Sequence, residues 1–184
     1  MPVMAVRWKV IGIGNPYRRD DGAGRQVAET LGDVEGLDVA IVGGESSELL
    51  LAWSGCSRVV VVDAMASGAQ PGSVICRDAL REPLPQPVGN SSTHGLGLAA
   101  AVALAEALGE LPQQLCFIGI EGADFSIGEG LTPAVATAAE QVVEGLKRLA
   151  DPADRSVTDP LADLNRLVGD SRLVPDSQLV ADTR

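Results

Sequence analysis

Positive charge is in short supply in this chain: 14 Lys and Arg stand against 25 Asp and Glu, a formal net charge of −11. Such a surface repels phosphate backbones, which disfavours a nucleic-acid role built on counterion release. It suits solubility and basic partners. Cysteine is rare as well. Cys56, Cys76 and Cys116 are far apart, none sits in a C-x-x-C pair, and their odd number leaves at least one without an intramolecular partner. Buried free thiols in a reducing compartment are the expectation. No stretch approaches the roughly 18 apolar residues of a membrane span. The start, MPVMAVRWKVIGIG, lacks the charged lead, apolar run and small-residue cleavage site of a signal peptide. A cytoplasmic location is expected, with no membrane and no nucleic acid among the partners. The single histidine excludes an H-E-x-x-H zinc motif, and a serine triad is disfavoured by the lack of a G-x-S-x-G elbow.

Aromatic residues are equally few, 3% of the chain, while Ala, Val, Leu and Gly dominate. Small side chains let helices and parallel strands pack closely, so an α/β domain of two or three layers leads. At 184 residues the chain can bury roughly 70% of its unfolded surface, enough to fold without a metal or disulfide staple. Four apolar runs predict strands over Trp8 to Ile13, Leu37 to Val42, Arg58 to Val62 and Leu115 to Ile120. The run RVVVV lacks alternation, as a central strand covered on both faces should. A fifth strand, Ser73 to Arg77, follows a Pro-Gly turn and suits an edge, where it could pair antiparallel.

Between these runs lie helical patterns. Ala23, Val27 and Leu31 recur every fourth residue before Gly32, Ser47 to Trp53 forms a short helix, and Leu96 to Leu108 is almost wholly Ala, Leu and Val. A last helix opens with Thr132 as cap and Pro133 at its first position, and buries Val135, Ala139, Val142, Leu146 and Leu149. Strands alternating with helices imply βαβ units. The expected fold is an α/β three-layer sandwich with a mostly parallel twisted sheet of about five strands, over residues 1–150. Residues 81–93, with three prolines, should be irregular, and residues 151–184 read as a weakly ordered tail.

Four places carry chemistry. The first strand ends in Gly12-Ile-Gly14-Asn15. A dinucleotide fingerprint would need a third glycine where Tyr17 stands, and a phosphate loop would need G-K-[ST]. Asp20 and Asp21 open the first helix, where one acid can cap free amides and the other face a site. Asp63 ends the RVVVVD run, at the carboxyl end of a central strand where ligands bind in open α/β sheets; the plainer role is capping the following turn. His94 lies in SSTHG, before the buried helix. Two carboxylates and an imidazole can hold a borderline divalent ion such as nickel or zinc.

The segments GIGNPYRRDDGAG, VVVDAMASGAQPG and SSTHGLGLA resemble, in order and spacing, three signature regions of the nickel–iron hydrogenase maturation endopeptidases. IEGADFSIGEGLTP resembles one branch of the same family, and the likeness spans about residues 8 to 150. It implies a twisted, mostly parallel sheet between helices, and an enzyme that removes a C-terminal extension from the hydrogenase large-subunit precursor once nickel is installed. It further implies that Asp21, Asp63 and His94 bind metal, namely nickel carried by the precursor, with no organic cofactor. Many members carry Asp immediately before the Gly-Gly after the second strand; here Val42 precedes Gly43-Gly44-Glu45. Those three residues, with the proline segment, are the candidates for holding the extended peptide, and Glu45 is the acid nearest the missing Asp. The protein is expected to work as a monomer. Two other classes fit the same residues: a non-catalytic, metal-dependent assembly factor that escorts the large subunit, and an unrelated small-molecule hydrolase or phosphorylase on a similar scaffold.

Overall fold

In the computed structural model, which describes residues 7–85 and 94–151, five strands form one sheet. They are β1 (Trp8–Ile13), β2 (Leu37–Val42), β3 (Arg58–Met65), β4 (Val74–Asp78) and β5 (Gln114–Glu121). Their order is β2-β1-β3-β5-β4. β1 pairs parallel with β2 and β3, and β3 with β5, while β4 runs antiparallel against β5 at the edge. The helices α1 (Ala23–Leu31), α2 (Ser46–Trp53), α3 (His94–Leu108) and α4 (Pro133–Ala150) cover the two faces.

Strand alternation decides the layers. Val10, Val60, Val62, Ile118 and Ile120 join Val27 and Leu31 of α1 and Val135, Val142 and Leu146 of α4 in one apolar cluster. Ile11, Ile13, Val59, Val61 and Phe117 join Leu49 and Trp53 of α2 and Leu98, Ala101 and Ala105 of α3 in the other. The continuous run Val59–Val62 is fully buried because both faces of β3 are covered; each such side chain contributes about 1.5–3 kcal/mol of burial before entropy is counted. The sheet is therefore the middle of three layers, the sandwich expected from the alternation of strands and helices.

β4, β5 and the start of α2 differ from the sequence pattern by one residue at an end, and two boundaries differ by more. β3 continues past Val62 to Met65, because Asp63, Ala64 and Met65 pair in register with Gly119, Ile120 and Glu121; Asp63 is a strand residue, not the residue after one. α3 begins at His94 itself rather than two residues later. Residues 86–93, most of the proline segment, and 152–184, nearly all of the expected tail, lie outside the described residues. Among the described residues no helix is long and apolar enough to cross a membrane, and Cys56, Cys76 and Cys116 are free thiols.

Candidate active site

Because β1, β2, β3 and β5 are parallel, the segments that follow β1 and β2 leave the same edge of the sheet, where Asp63 also stands near the end of its strand. After β1 the chain turns through Gly14, whose φ of 144° lies outside the range comfortable for a side chain. A β-carbon there would overlap the carbonyl oxygen of Asp21, so glycine lets the peptide of Asp21 tuck against the strand end. A single 3₁₀ turn, Arg19–Gly22, then leads into α1. Gly24, in the first turn of α1, meets the carbonyl oxygens of Val62 and Ile13, with no room for a β-carbon. That approach sets the Asp21 turn over the ends of β1 and β3, one residue from Asp63.

Asp21 and Asp63 are both buried, each only 2% exposed. Buried carboxylates require hydrogen bonds, charge partners or a metal. Asp21 Oδ2 accepts a bond from the Asn15 amide at 3.2 Å. Asp63 alternates with Val59 and Val61, whose side chains face α2 and α3. His94 begins α3, the helix on that same face. Its side chain is outside the described residues, as is that of Leu96. Gly97 is described, and a β-carbon on it would overlap the carbonyl oxygen of Gly44. The first turn of α3 thus rests on the glycine turn after β2. Among the described side chains no group of three or more His, Cys, Asp or Glu is arranged to hold a metal ion.

The glycine turn is held by an acid that the sequence pattern did not single out. Glu48, in the first turn of α2, accepts a bond from the Gly43 amide at 2.8 Å. Glu45 is the cap residue of α2, and its backbone carbonyl accepts from Leu49 at 3.1 Å. Gly14, Arg25, Val42, Gly43 and Leu51 line a groove of about 500 Å³ that runs past this turn.

The expected capping by Asp20 and Asp21 is replaced by something else: neither the 3₁₀ turn nor α1 has a side-chain cap bond. Asp20 is fully buried and reaches across to the segment before α4. Its Oδ1 accepts from the Thr132 amide at 2.7 Å; its Oδ2 accepts from the amides of Ala123 (2.8 Å) and Asp124 (2.9 Å) and the Thr132 hydroxyl (2.9 Å). Thr132 caps α4 by position, but its hydroxyl is spent on Asp20. Glu121, buried at the end of β5, does the parallel job for the turn after β3. It accepts from the Ser67 amide (3.1 Å) and hydroxyl (2.8 Å) and from the Gly68 amide (2.9 Å). The turn that Asp63 was the plainer candidate to cap is held by Glu121. The signal was present in the sequence: an acid ends the apolar run LCFIGIE just as one follows RVVVV.

In this mixed five-stranded α/β sandwich the buried acids stand at the sheet edge where open α/β domains bind their ligands. Residues 25–148 match the model of the hydrogenase maturation protease family. The hydrogenase expression/formation protein HoxM of Cupriavidus necator is 31% identical over 142 residues, 73% of this chain and 69% of that protein. HupD of Thiocapsa roseopersicina is 28% identical, over 73% of this chain and 67% of its own length. Among solved structures, the hydrogenase maturating endopeptidase HybD from E. coli superposes with a TM-score of 0.62 at 26% identity, covering 76% of this chain and 89% of that one. The maturation protease HybD from Thermococcus kodakarensis gives 0.63 at 26%, covering 79% and 99%. The chain belongs to the hydrogenase maturation protease family and is a peptidase.

Proposed function

We propose that this peptidase removes the C-terminal extension of a hydrogenase large-subunit precursor after nickel insertion, and that Asp21, Asp63 and His94 recognise the nickel the precursor carries. One observation carries the reading: two buried carboxylates, Asp21 in the turn after β1 and Asp63 near the end of the adjacent parallel strand β3, stand at one edge of the sheet, and α3 on the neighbouring face begins with the only histidine of the chain. Imidazole and carboxylate together suit a borderline ion such as nickel. The ion is part of the substrate. Docking it at these residues registers the peptide bond for hydrolysis, and positioning of this kind supplies a large part of a catalytic barrier. Gly43 lines the groove that accepts the extended peptide, and Gly44 and Glu45 continue the same turn. The protein works in the cytoplasm as a monomer, without an organic cofactor.

The test uses purified precursor with and without nickel, and reads the mass of the released peptide. Cleavage restricted to the nickel-loaded precursor supports the proposal; equal cleavage of both forms contradicts it. A second reading, a metal-dependent escort that binds without cutting, is favoured by one residue. Val42 ends β2 where many family members carry Asp. That reading expects nickel-dependent association with an intact precursor at the end of the incubation.

A further inference from the structure

The two loops that rise beside the Asp21 turn are joined by a short parallel bridge between Arg18 and Gly128. The Gly128 amide donates to the Tyr17 carbonyl and the Arg19 amide to the Gly128 carbonyl, both at 2.9 Å. One residue before each bridged position stand Tyr17 and Ile127, which are 64% and 90% exposed. Single exposed apolar residues are ordinary. Here the only tyrosine of the chain and its most exposed large apolar side chain among the described residues are neighbours across one bridge.

The backbone beneath them is clamped. Asp20 fastens the two loops with the four bonds described above. Arg18 donates to the Phe125 carbonyl through Nε and Nη2, at 3.4 and 3.3 Å. Arg19 holds the one left-handed φ among the described non-glycine residues, 47°, with its Nε 3.3 Å from the Asp124 carboxylate. Phe125 turns inward onto the α1–α4 core while Ile127 turns out. A backbone so constrained has little main-chain freedom left to lose when a partner covers these side chains, which lowers the cost of using them as interface anchors. Tyr17 also walls a cavity of about 350 Å³ with Pro16, Arg19, Gly22, Arg25 and Leu131, open to receive a side chain from the partner.

We propose that Tyr17 and Ile127 form a docking knob for the folded body of the hydrogenase precursor, separate from the groove that takes its C-terminal peptide. The knob projects from loops, so it fits a cleft on a folded surface, whereas an extended peptide lies in a groove. Its link to the candidate site is short and rigid: three residues separate Tyr17 from Asp21, and the last of them, Asp20, pins that connection. A partner seated on the knob therefore has its metal held at a set distance from Asp21. The inference rests on the proposed function.

The experiment compares wild type with Tyr17→Ser/Ile127→Ser, using the full-length nickel-loaded precursor and, separately, a peptide of its last residues. The expected result is a roughly ten- to hundredfold rise in KM and Kd for the full-length precursor. The value of kcat, the thermal midpoint and binding of the peptide stay unchanged, and Tyr17→Phe/Ile127→Leu recovers most of the affinity. Wild-type KM in the serine variant overturns the knob and leaves the proposed function standing. Failure of the wild type to bind or cleave any precursor overturns both. Concentration-dependent self-association of the wild type that the serine variant abolishes, with precursor affinity intact, overturns it in favour of a second copy as the occupant.

Discussion

Gly97, in the first turn of α3, rests directly on the carbonyl oxygen of Gly44 in the turn after β2. This contact joins two segments 53 positions apart (97 − 44), the one that opens with His94 and the one proposed to hold the peptide. A methyl group at Gly97 must push one of them away, since both opposing groups are backbone. Gly97→Ala is expected to destabilise the fold by about 1–3 kcal/mol, the usual range for overpacking. It is also expected to lower cleavage by more than the stability loss accounts for, because the helix that begins with His94 shifts. Urea denaturation and precursor cleavage measured on the same preparation check both parts.

Adjacent aspartates should fail differently. Asp20→Ala removes the acceptor for four donors, three of them backbone amides at 2.7–2.9 Å. A loss of about 3 kcal/mol or more is expected, with early proteolysis in the segment 122–132. Asp21→Asn keeps an oxygen to accept from Asn15, so its stability should stay within about 1 kcal/mol of wild type while cleavage falls. Thermal melts beside an activity assay separate the two effects.

Glu121→Gln tests the other clamp. The carboxylate accepts from Ser67 and Gly68 through both oxygens, and an amide turns a donor toward at least one of those groups. Destabilisation of about 1–3 kcal/mol is expected, with hydrogen exchange at Ser67 and Gly68 rising more than at the β3 core.

The thiols give a pH signature. Burial, aided by the neighbouring Cys116 and the acids Glu82 and Asp78, pushes the Cys76 thiol well above its ordinary value. A group whose proton is held more tightly in the folded state adds stability below the unfolded pKa and loses it as pH rises above that value. Stability should therefore fall above about pH 9, by at most about 1.4 kcal/mol per pH unit, and less steeply in Cys76→Ala. At neutral pH a thiol reagent should modify half-buried Cys56 fast and the buried Cys76 and Cys116 only on unfolding.

Much of this architecture was legible from local pattern. β1 and β2 fall on the expected residues, and Pro133 opens α4, because apolar runs and helix signals act over a few neighbours. The extension of β3 to Met65 was not legible, since it is dictated by pairing with β5 across the sheet. The same reason hid the duties of Asp20 and Glu121: their partners lie 103–112 and 53–54 positions away. Asp21 and Asp63 could be placed on one sheet edge once the strands were read as parallel. The close packing of Gly24 on Val62, and of Gly97 on Gly44, depends on tertiary approach that no sequence spacing encodes.

The central claim is that Asp21, Asp63 and His94 read the precursor's nickel. Its most direct measurement is the ratio of binding constants for nickel-loaded and nickel-free precursor, taken for wild type and for folded Asp21→Asn, Asp63→Asn and His94→Ala variants. The account predicts a ratio of roughly ten or more for wild type, in keeping with coupling energies of 1–3 kcal/mol, and close to one for each variant. A wild-type preference for nickel that persists undiminished in all three variants would contradict it.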